Sequence, residues 1–354
     1  MRRLALVLAL SWVCVVSLQT RAADSSDGKP KYPSLQIAGF GDVIYGNTDE
    51  EDVDADSEFQ QGQFVLQFVS ALSTQWSFFA ELTLTATNEQ FESDLERGFI
   101  KYDHNDYFKV SFGRFHTPIS WWNTAFHHGA WLQTTITRPE VTRFGGEFVP
   151  VHFVGTIAEG SIPSGSVNLG YMAGIGNGRH ENIVRPGDAG DINSDRALVA
   201  RLNSRPDSLF GLEAGVAYYG DKITLETGEE FDEQIANVYV VYSRETPEII
   251  TEYHHLEREN IVSRDSFASD GFYAQLAYRL PVWKDRLKPY ARYETVDVAN
   301  SEPVFASQTD RDGYTVGLRL DVSTFVAVKA EYRRQRTNQD PYVNAGIAQI
   351  SWAF

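Results

Sequence analysis

Cysteine is all but missing from this 354-residue chain, whose single copy, Cys14, lies near the N-terminus, and methionine occurs only twice. Outside that N-terminal stretch no disulfide can brace the fold, so stability has to come from packing and hydrogen bonding. Long apolar runs are scarce as well. The uncharged stretch from Leu4 to Leu18 is 15 residues, short of the roughly 20 that a helix needs to cross a bilayer, and nothing comparable follows it. Preceded by Arg2 and Arg3 and followed by Thr20-Arg21-Ala22-Ala23, it reads as a secretory signal over residues 1–22, leaving 23–354 as the mature chain. Positive charge is the third shortage: 31 Lys and Arg face 48 Asp and Glu, a formal charge of −17. The leader holds three arginines and no acid, so its loss would take the charge to −20. No nucleic-acid partner is expected for such a surface, and no nucleic-acid motif appears.

What the chain has in plenty is aromatic residues and glycine, with 17 Tyr, 22 Phe, 7 Trp and 27 Gly, a mixture that favours strands over helices. Periodicity sharpens this. In "WSFFAELTLT", Trp76, Phe78, Ala80, Leu82 and Leu84 share one parity, while Ser77, Glu81, Thr83 and Thr85 share the other. That is the period of two of a strand with unlike faces. Phe64, Leu66 and Phe68 stand against Gln63 and Gln67 in the same way, as do Phe272, Ala274 and Leu276 against Tyr273 and Gln275, and Tyr314, Val316 and Leu318 against Thr315 and Arg319. Sixteen candidate strands follow one another, near 34–46, 58–70, 75–87, 93–103, 106–116, 146–158, 166–176, 194–204, 208–220, 233–244, 248–258, 270–280, 286–297, 312–322, 324–336 and 341–354.

Connection lengths alternate. Short turns such as "DHND", "RPD" and "VSTF" follow even-numbered strands, and long polar loops such as "NTDEEDVDADSE" follow odd-numbered ones. The expected fold is therefore all-β: a transmembrane antiparallel β-barrel of about sixteen strands, with short turns at the periplasmic end and no open edge in lipid. A soluble sandwich would show similar alternation, but the chain ends "GIAQISWAF", with Gly346, Ala348, Ile350, Trp352 and Phe354 on one face. That ending resembles the recognition signal of outer-membrane barrels.

A barrel of that size encloses an aqueous channel. The parity opposite the apolar stripe carries Glu81, Lys109, Glu213, Arg279, Arg292 and Glu294, and further on Arg319, Asp321, Lys329, Glu331 and Arg333. A charged side chain facing lipid at the midplane costs about 2–4 kcal/mol for Arg or Lys, so these are expected to line a wet lumen, with mixed sign.

One stretch stands out, "FGRFHTPISWWNTAFHHGAWLQTTITRPE" from Phe112 to Glu140, and from Tyr107 to Pro139 there is no acidic residue. Together with its upstream hairpin, "ERGFIKYDHNDYFKVSFGRFHTPISWW" resembles the phosphate-selective porin O/P family: a strand ending in a Tyr-containing turn, a second strand, then Gly-Arg-Phe and a Thr-Pro step into a third external loop. The resemblance implies a sixteen-stranded, homotrimeric channel in the bacterial outer membrane, often anion-selective. It places a constriction loop at about 112–145, with Lys109, Arg114, His116, Trp121, Trp122, His127 and Arg138 among the residues lining the passage.

The same residues admit competing roles. Adjacent His127 and His128 seldom chelate one ion without further ligands, and no carboxylate lies near them in sequence, so no metal is expected there. His254 and His255 should point to opposite faces of a strand. Arg114 could pair with Glu81 across the lumen. The acidic first loop, Asp49 to Glu58, lacks the glycine and terminal glutamate of a calcium loop, and is expected to be solvated or to meet lipopolysaccharide phosphates through divalent ions. No nucleophile motif appears, and neither a catalytic site nor a cofactor is expected. The expected function is passive diffusion of small hydrophilic solutes, with anions such as phosphate among the candidates. A structural or receptor barrel without pore activity is the alternative.

Overall fold

The computed structural model describes residues 31–49, 57–87, 90–143, 147–180, 183, 193–305, 309–337 and 342–354. The expected leader and most of the acidic first loop lie outside the described residues. Sixteen strands are present: β1 (Ser34–Thr48), β2 (Ser57–Ala71), β3 (Trp76–Ala86), β4 (Phe91–Asn105), β5 (Phe108–His116), β6 (His152–Ile162), β7 (Leu169–Asn177) and β8 (Ala197–Ser204). The second half adds β9 (Leu212–Thr224), β10 (Glu230–Ser243), β11 (Glu248–Asn260), β12 (Ser266–Ala277), β13 (Leu287–Asp297), β14 (Arg311–Asp321), β15 (Val326–Thr337) and β16 (Val343–Ala353). Each pairs antiparallel with its sequence neighbours, and β1 pairs with β16, so the sheet is a closed barrel. Six-residue helix α1 (Trp121–Phe126) lies in the connection between β5 and β6.

Alternation explains the wall. On β3, Trp76, Phe78, Leu82 and Leu84 are exposed, while Phe79, Glu81 and Thr83 are buried. Exposed leucine beside buried glutamate reverses the arrangement of a soluble protein, where ionised groups are seldom buried. The same reversal recurs on β14, with Tyr314, Val316 and Leu318 exposed against buried Thr315 and Arg319. Val316 sits mid-strand on this outer face, opposite Ala291 and Tyr332 of the neighbouring strands. Val316→Arg should therefore cost about 2–4 kcal/mol of barrel stability in lipid. Urea unfolding in liposomes reads this, and a cost below about 0.5 kcal/mol would argue against lipid at that face.

Closure depends on the last residues. Gly39 and Phe354 exchange backbone hydrogen bonds at 2.9 and 3.0 Å, and the Phe354 ring stacks on Phe64 at 5.7 Å. The Trp352 ring lies across Gly41, where an added Cβ would come within 2.5 Å of it, so any larger residue there would push the indole aside.

Two strands start four or more residues later than their sequence suggests. Expected from 146, β6 begins at His152, because Phe148 and Val149 are buried in an interior apolar cluster, with Phe115, Trp122, Phe153 and Tyr273, instead of joining the wall. Pro150, which cannot donate to a ladder, separates the two environments. β9 likewise begins at Leu212 instead of 208, after a one-turn helix at Asp207–Leu209 and Gly211, whose φ of 93° requires glycine.

Candidate functional site: the segment between β5 and β6

Residues 117–151 join β5 to β6, and among the described ones several backbone groups are met by side chains of the wall. Ser120 caps α1 by accepting from the Asn123 N–H at 3.2 Å. The carboxylate of Glu252, on β11, accepts from the N–H groups of Trp121 and Trp122 at 2.9 and 2.8 Å and from the Ser120 hydroxyl at 3.1 Å. Tyr273 and Asn237 donate to the same carboxylate at 2.6 and 3.1 Å. An anion at exposed N–H groups of a first helical turn both satisfies them and complements the partial positive charge there.

Further along, Glu331 of β15 accepts from the N–H groups of Ile136 and Thr137 at 2.8 and 3.2 Å, Glu294 of β13 from that of Glu140 at 2.8 Å, and Glu248 from the Thr134 hydroxyl at 2.8 Å. Wall cations take the carbonyls. Arg292 donates to those of Thr137 and Arg138 at 2.8 and 3.1 Å, Arg319 to those of Trp131 and Gln133 at 2.8 and 2.9 Å, and Lys329 to those of Ala130 and Thr135 at 2.5 and 3.1 Å. The lack of acids from Tyr107 to Pro139 thus has a counterpart: the carboxylates that donors of the segment need are supplied by β11, β13 and β15.

The tryptophans pack. Trp122 is fully buried, edge-on to Phe126 and Tyr273 with ring centres 5.0 and 6.0 Å away; Trp121 is edge-on to Phe126 at 5.2 Å. The Arg319 guanidinium lies 5.9 Å from the Trp131 ring centre. Arg138 is enclosed, and burial pushes its guanidinium down to about 9.

At the other end of α1 the chain meets the opposite side of the barrel. The His128 Nδ1 lies 2.8 Å from the amide oxygen of Gln63, on β2, and the Nε2 of His127 and His128 lie 3.8 and 3.0 Å from the carboxylate of Glu96, on β4. His116, the last residue of β5, and His152, the first of β6, stand directly opposite each other in the β5–β6 register. His152 Nε2 is 2.7 Å from Glu96 Oε2. Glu96 can reach this cluster because of a bulge: Glu81 pairs with Arg97 and Leu82 with Leu95, so Glu96 is an extra residue whose side chain is re-aimed. Burial, reinforced by neighbouring His128, holds His127 well below its ordinary value, so its ring is neutral at pH 7.

Other sequence candidates find different partners from those expected. Glu81 is bound by Arg97 at 2.6 Å and Gln67 at 2.5 Å, not by Arg114. Arg114 instead donates to the Leu95 and Glu96 carbonyls, bracing the bulge. Lys109 pairs with Asp103 at 2.7 Å. Arg279 lies between Glu245 and Asp321 at 2.7 and 2.6 Å, and Arg333 is half-buried on the Lys329 and Glu331 side of β15. His254 is buried beside Glu252 and Asn237 while His255 meets Asp270 at 2.9 Å, so the pair does point to opposite faces. His128 is weighed from the sequence only as a neighbour of His127, and Glu96 and His152 are not singled out by it. The signal that could have found them is that the connection is bounded by a histidine at each strand end.

The family model for a Gram-negative porin matches residues 9–341. The chain belongs to the Gram-negative porin family. Solved structures agree on the fold. The porin is similar to OmpT, an outer-membrane protein of Vibrio cholerae, at 15% identity and a TM-score of 0.61 over 92% of this chain and 99% of that one. It is similar to Salmonella typhi OmpF in complex with daunomycin at 11% identity and a TM-score of 0.60, over 91% and 98% of the chains. The outer-membrane channel DcaP of Acinetobacter baumannii gives 11% identity and a TM-score of 0.62 over 94% and 99%. No curated protein matches it in sequence.

Proposed function

We propose that the porin is a narrow passive channel for small hydrophilic solutes, in which residues 117–151 fold into the barrel and set its size limit. The observation that carries this reading is that one short segment binds both sides of the ring: Gln63 and Glu96 on β2 and β4 at the end of α1, and Glu252, Glu331 and Arg319 on β11, β15 and β14 at its start and beyond. β3 and β11 are eight strands apart in a ring of sixteen, so a chain touching both neighbourhoods crosses the interior. The charged side chains on the inner parity are themselves closely covered, with Lys329, Glu81 and Arg292 no more than 2% exposed.

The finer expectation, a preference for anions such as phosphate, draws little from this geometry. Direct binding of an anion needs cationic N–H groups that are available, and Arg292, Arg319 and Lys329 spend theirs in part on loop carbonyls, Arg319 also on Asp321. Size exclusion is the stronger reading, with charge selectivity weak. The reading is non-enzymatic. A homotrimer set in outer-membrane lipid and lipopolysaccharide goes with it, in keeping with the OmpT structure described as a trimer form.

Two measurements test it. Reversal potentials in planar bilayers under a salt gradient should lie close to zero, and liposome swelling should fall steeply with the size of neutral sugars. A strong anion preference abolished by Arg319→Ala would overturn the size reading in favour of a basic filter. Absence of any conductance would favour the structural or receptor class.

A further inference from the structure

We infer that Glu96, His116, His127, His128 and His152 form a binding site for a first-row transition dication, with zinc as the best fit, which fastens the far end of α1 to the β4–β6 wall. One nitrogen or oxygen from each of the five comes within 4.8 Å of all the others. Atoms bound tetrahedrally to one zinc at about 2.0–2.1 Å lie about 3.3 Å apart. The separations from Glu96 Oε2 to the Nε2 of His152, His128 and His127, at 2.7, 3.0 and 3.8 Å, bracket that value. Imidazole nitrogen with one carboxylate oxygen is a donor set suited to zinc, nickel or copper and not to calcium or magnesium.

The surroundings orient the rings. Asn123 donates through its amide nitrogen to the Thr117 and Val151 carbonyls at 3.1 and 3.0 Å. Its amide oxygen is thereby fixed against His127 Nδ1, 2.8 Å away, so Nδ1 carries the proton and Nε2 presents its lone pair to the cluster. Gln63 holds His128 Nδ1 through its amide oxygen in the same manner. Hydrogen bonding of the remote ring nitrogen to an amide or carboxylate oxygen is how metal-bound histidines are generally held. His116 adds an independent indication: its ring is buried, neither nitrogen has a hydrogen-bond partner among the described residues, and it lies 3.9 Å from the His127 ring centre. Buried polar atoms without partners are rare in native proteins, and a cation held in the cluster would give the His116 ring one.

The bound ion would close the clamp described above. Glu252 fixes the start of α1 to β11, and the metal would fix its end to β4, β5 and β6, so that the segment is held at both sides of the lumen. Binding is read without conductance, so a failure of the pore reading leaves this inference standing.

The test uses the full porin, folded in detergent after removal of metal by chelation and dialysis. Calorimetric titration with zinc chloride should show one site per chain, and cobalt chloride should give the visible absorption of a nitrogen-rich, low-coordinate site. His128→Ala and Glu96→Gln should each weaken zinc binding at least tenfold, as expected when a ligand is lost. His255→Ala, at a half-buried histidine elsewhere that pairs with Asp270, should leave it unchanged. Heat-modifiable gel mobility confirms that each variant is folded, and the cobalt spectrum of the unaltered chain decides the matter even if no variant folds. Binding that survives both substitutions, or a cobalt spectrum of the fully hydrated ion, would overturn the site in favour of a cluster held by protons alone.

Discussion

Replacing Glu252 and Glu331 together by alanine is expected to raise single-channel conductance several-fold and to admit larger sugars. Each carboxylate satisfies two backbone N–H groups of residues 117–151, those of Trp121 and Trp122 for Glu252 and those of Ile136 and Thr137 for Glu331. A buried donor left without an acceptor costs about 1–3 kcal/mol, so the double substitution removes enough to free the segment from that side. A sixteen-stranded barrel without its inner segment is wide enough for an open aqueous channel. Glu252→Gln keeps an acceptor oxygen but loses the charge, and should fall between the two. Planar-bilayer recordings and swelling rates read the effect. Unchanged conductance and unchanged noise in a correctly folded double variant would mean that the segment does not limit the pore.

The wall of this barrel was legible in the sequence because lipid imposes its pattern strand by strand. Val316 and Leu318 face outward whatever the rest of the chain does, so a local period of two suffices to find β14. Where the interior competes, local pattern misleads. Phe148 and Val149 look like the start of a strand, yet their apolar side chains are drawn into the cluster around Trp122. The unusual composition of 107–139 was visible, but its cause was not: the acids that serve it are on β11, β13 and β15, more than a hundred positions further on. The histidine cluster was hidden more deeply. It needs the register that sets His116 against His152 and a bulge that turns Glu96 toward them, and neither leaves a mark on the sequence around His127.

Glu233→Ala is expected to cost about 3–5 kcal/mol, because it strands buried cations whose other contacts cannot replace it. Arg258, fully buried on β11, binds Glu233 at 2.7 Å and Glu302 at 2.9 Å, and its guanidinium lies 4.2 Å from the Phe305 ring centre. Arg179 meets the other oxygen of Glu233 at 3.0 Å and donates to the Glu147 and Phe148 carbonyls at 2.5 and 2.8 Å. The carboxylate therefore joins three connections to β10 and β11: the end of the 117–151 segment, the chain after β7 and the chain between β13 and β14. Without it two guanidinium groups stay buried with less compensation, and an unpaired buried charge is far costlier than no charge. A second substitution separates that cause from simple loss of packing. Glu233→Ala with Arg258→Met removes one cation along with its partner, and should be less destabilised than Glu233→Ala alone, a sign that pure packing loss cannot give. Urea unfolding followed by tryptophan emission measures both, and amide exchange at 147–151 and 302–305 should quicken in the single variant. A single-variant cost below about 1 kcal/mol, or a double variant worse than the single, would mean that water already solvates these groups and that the network does not hold the outer loops together.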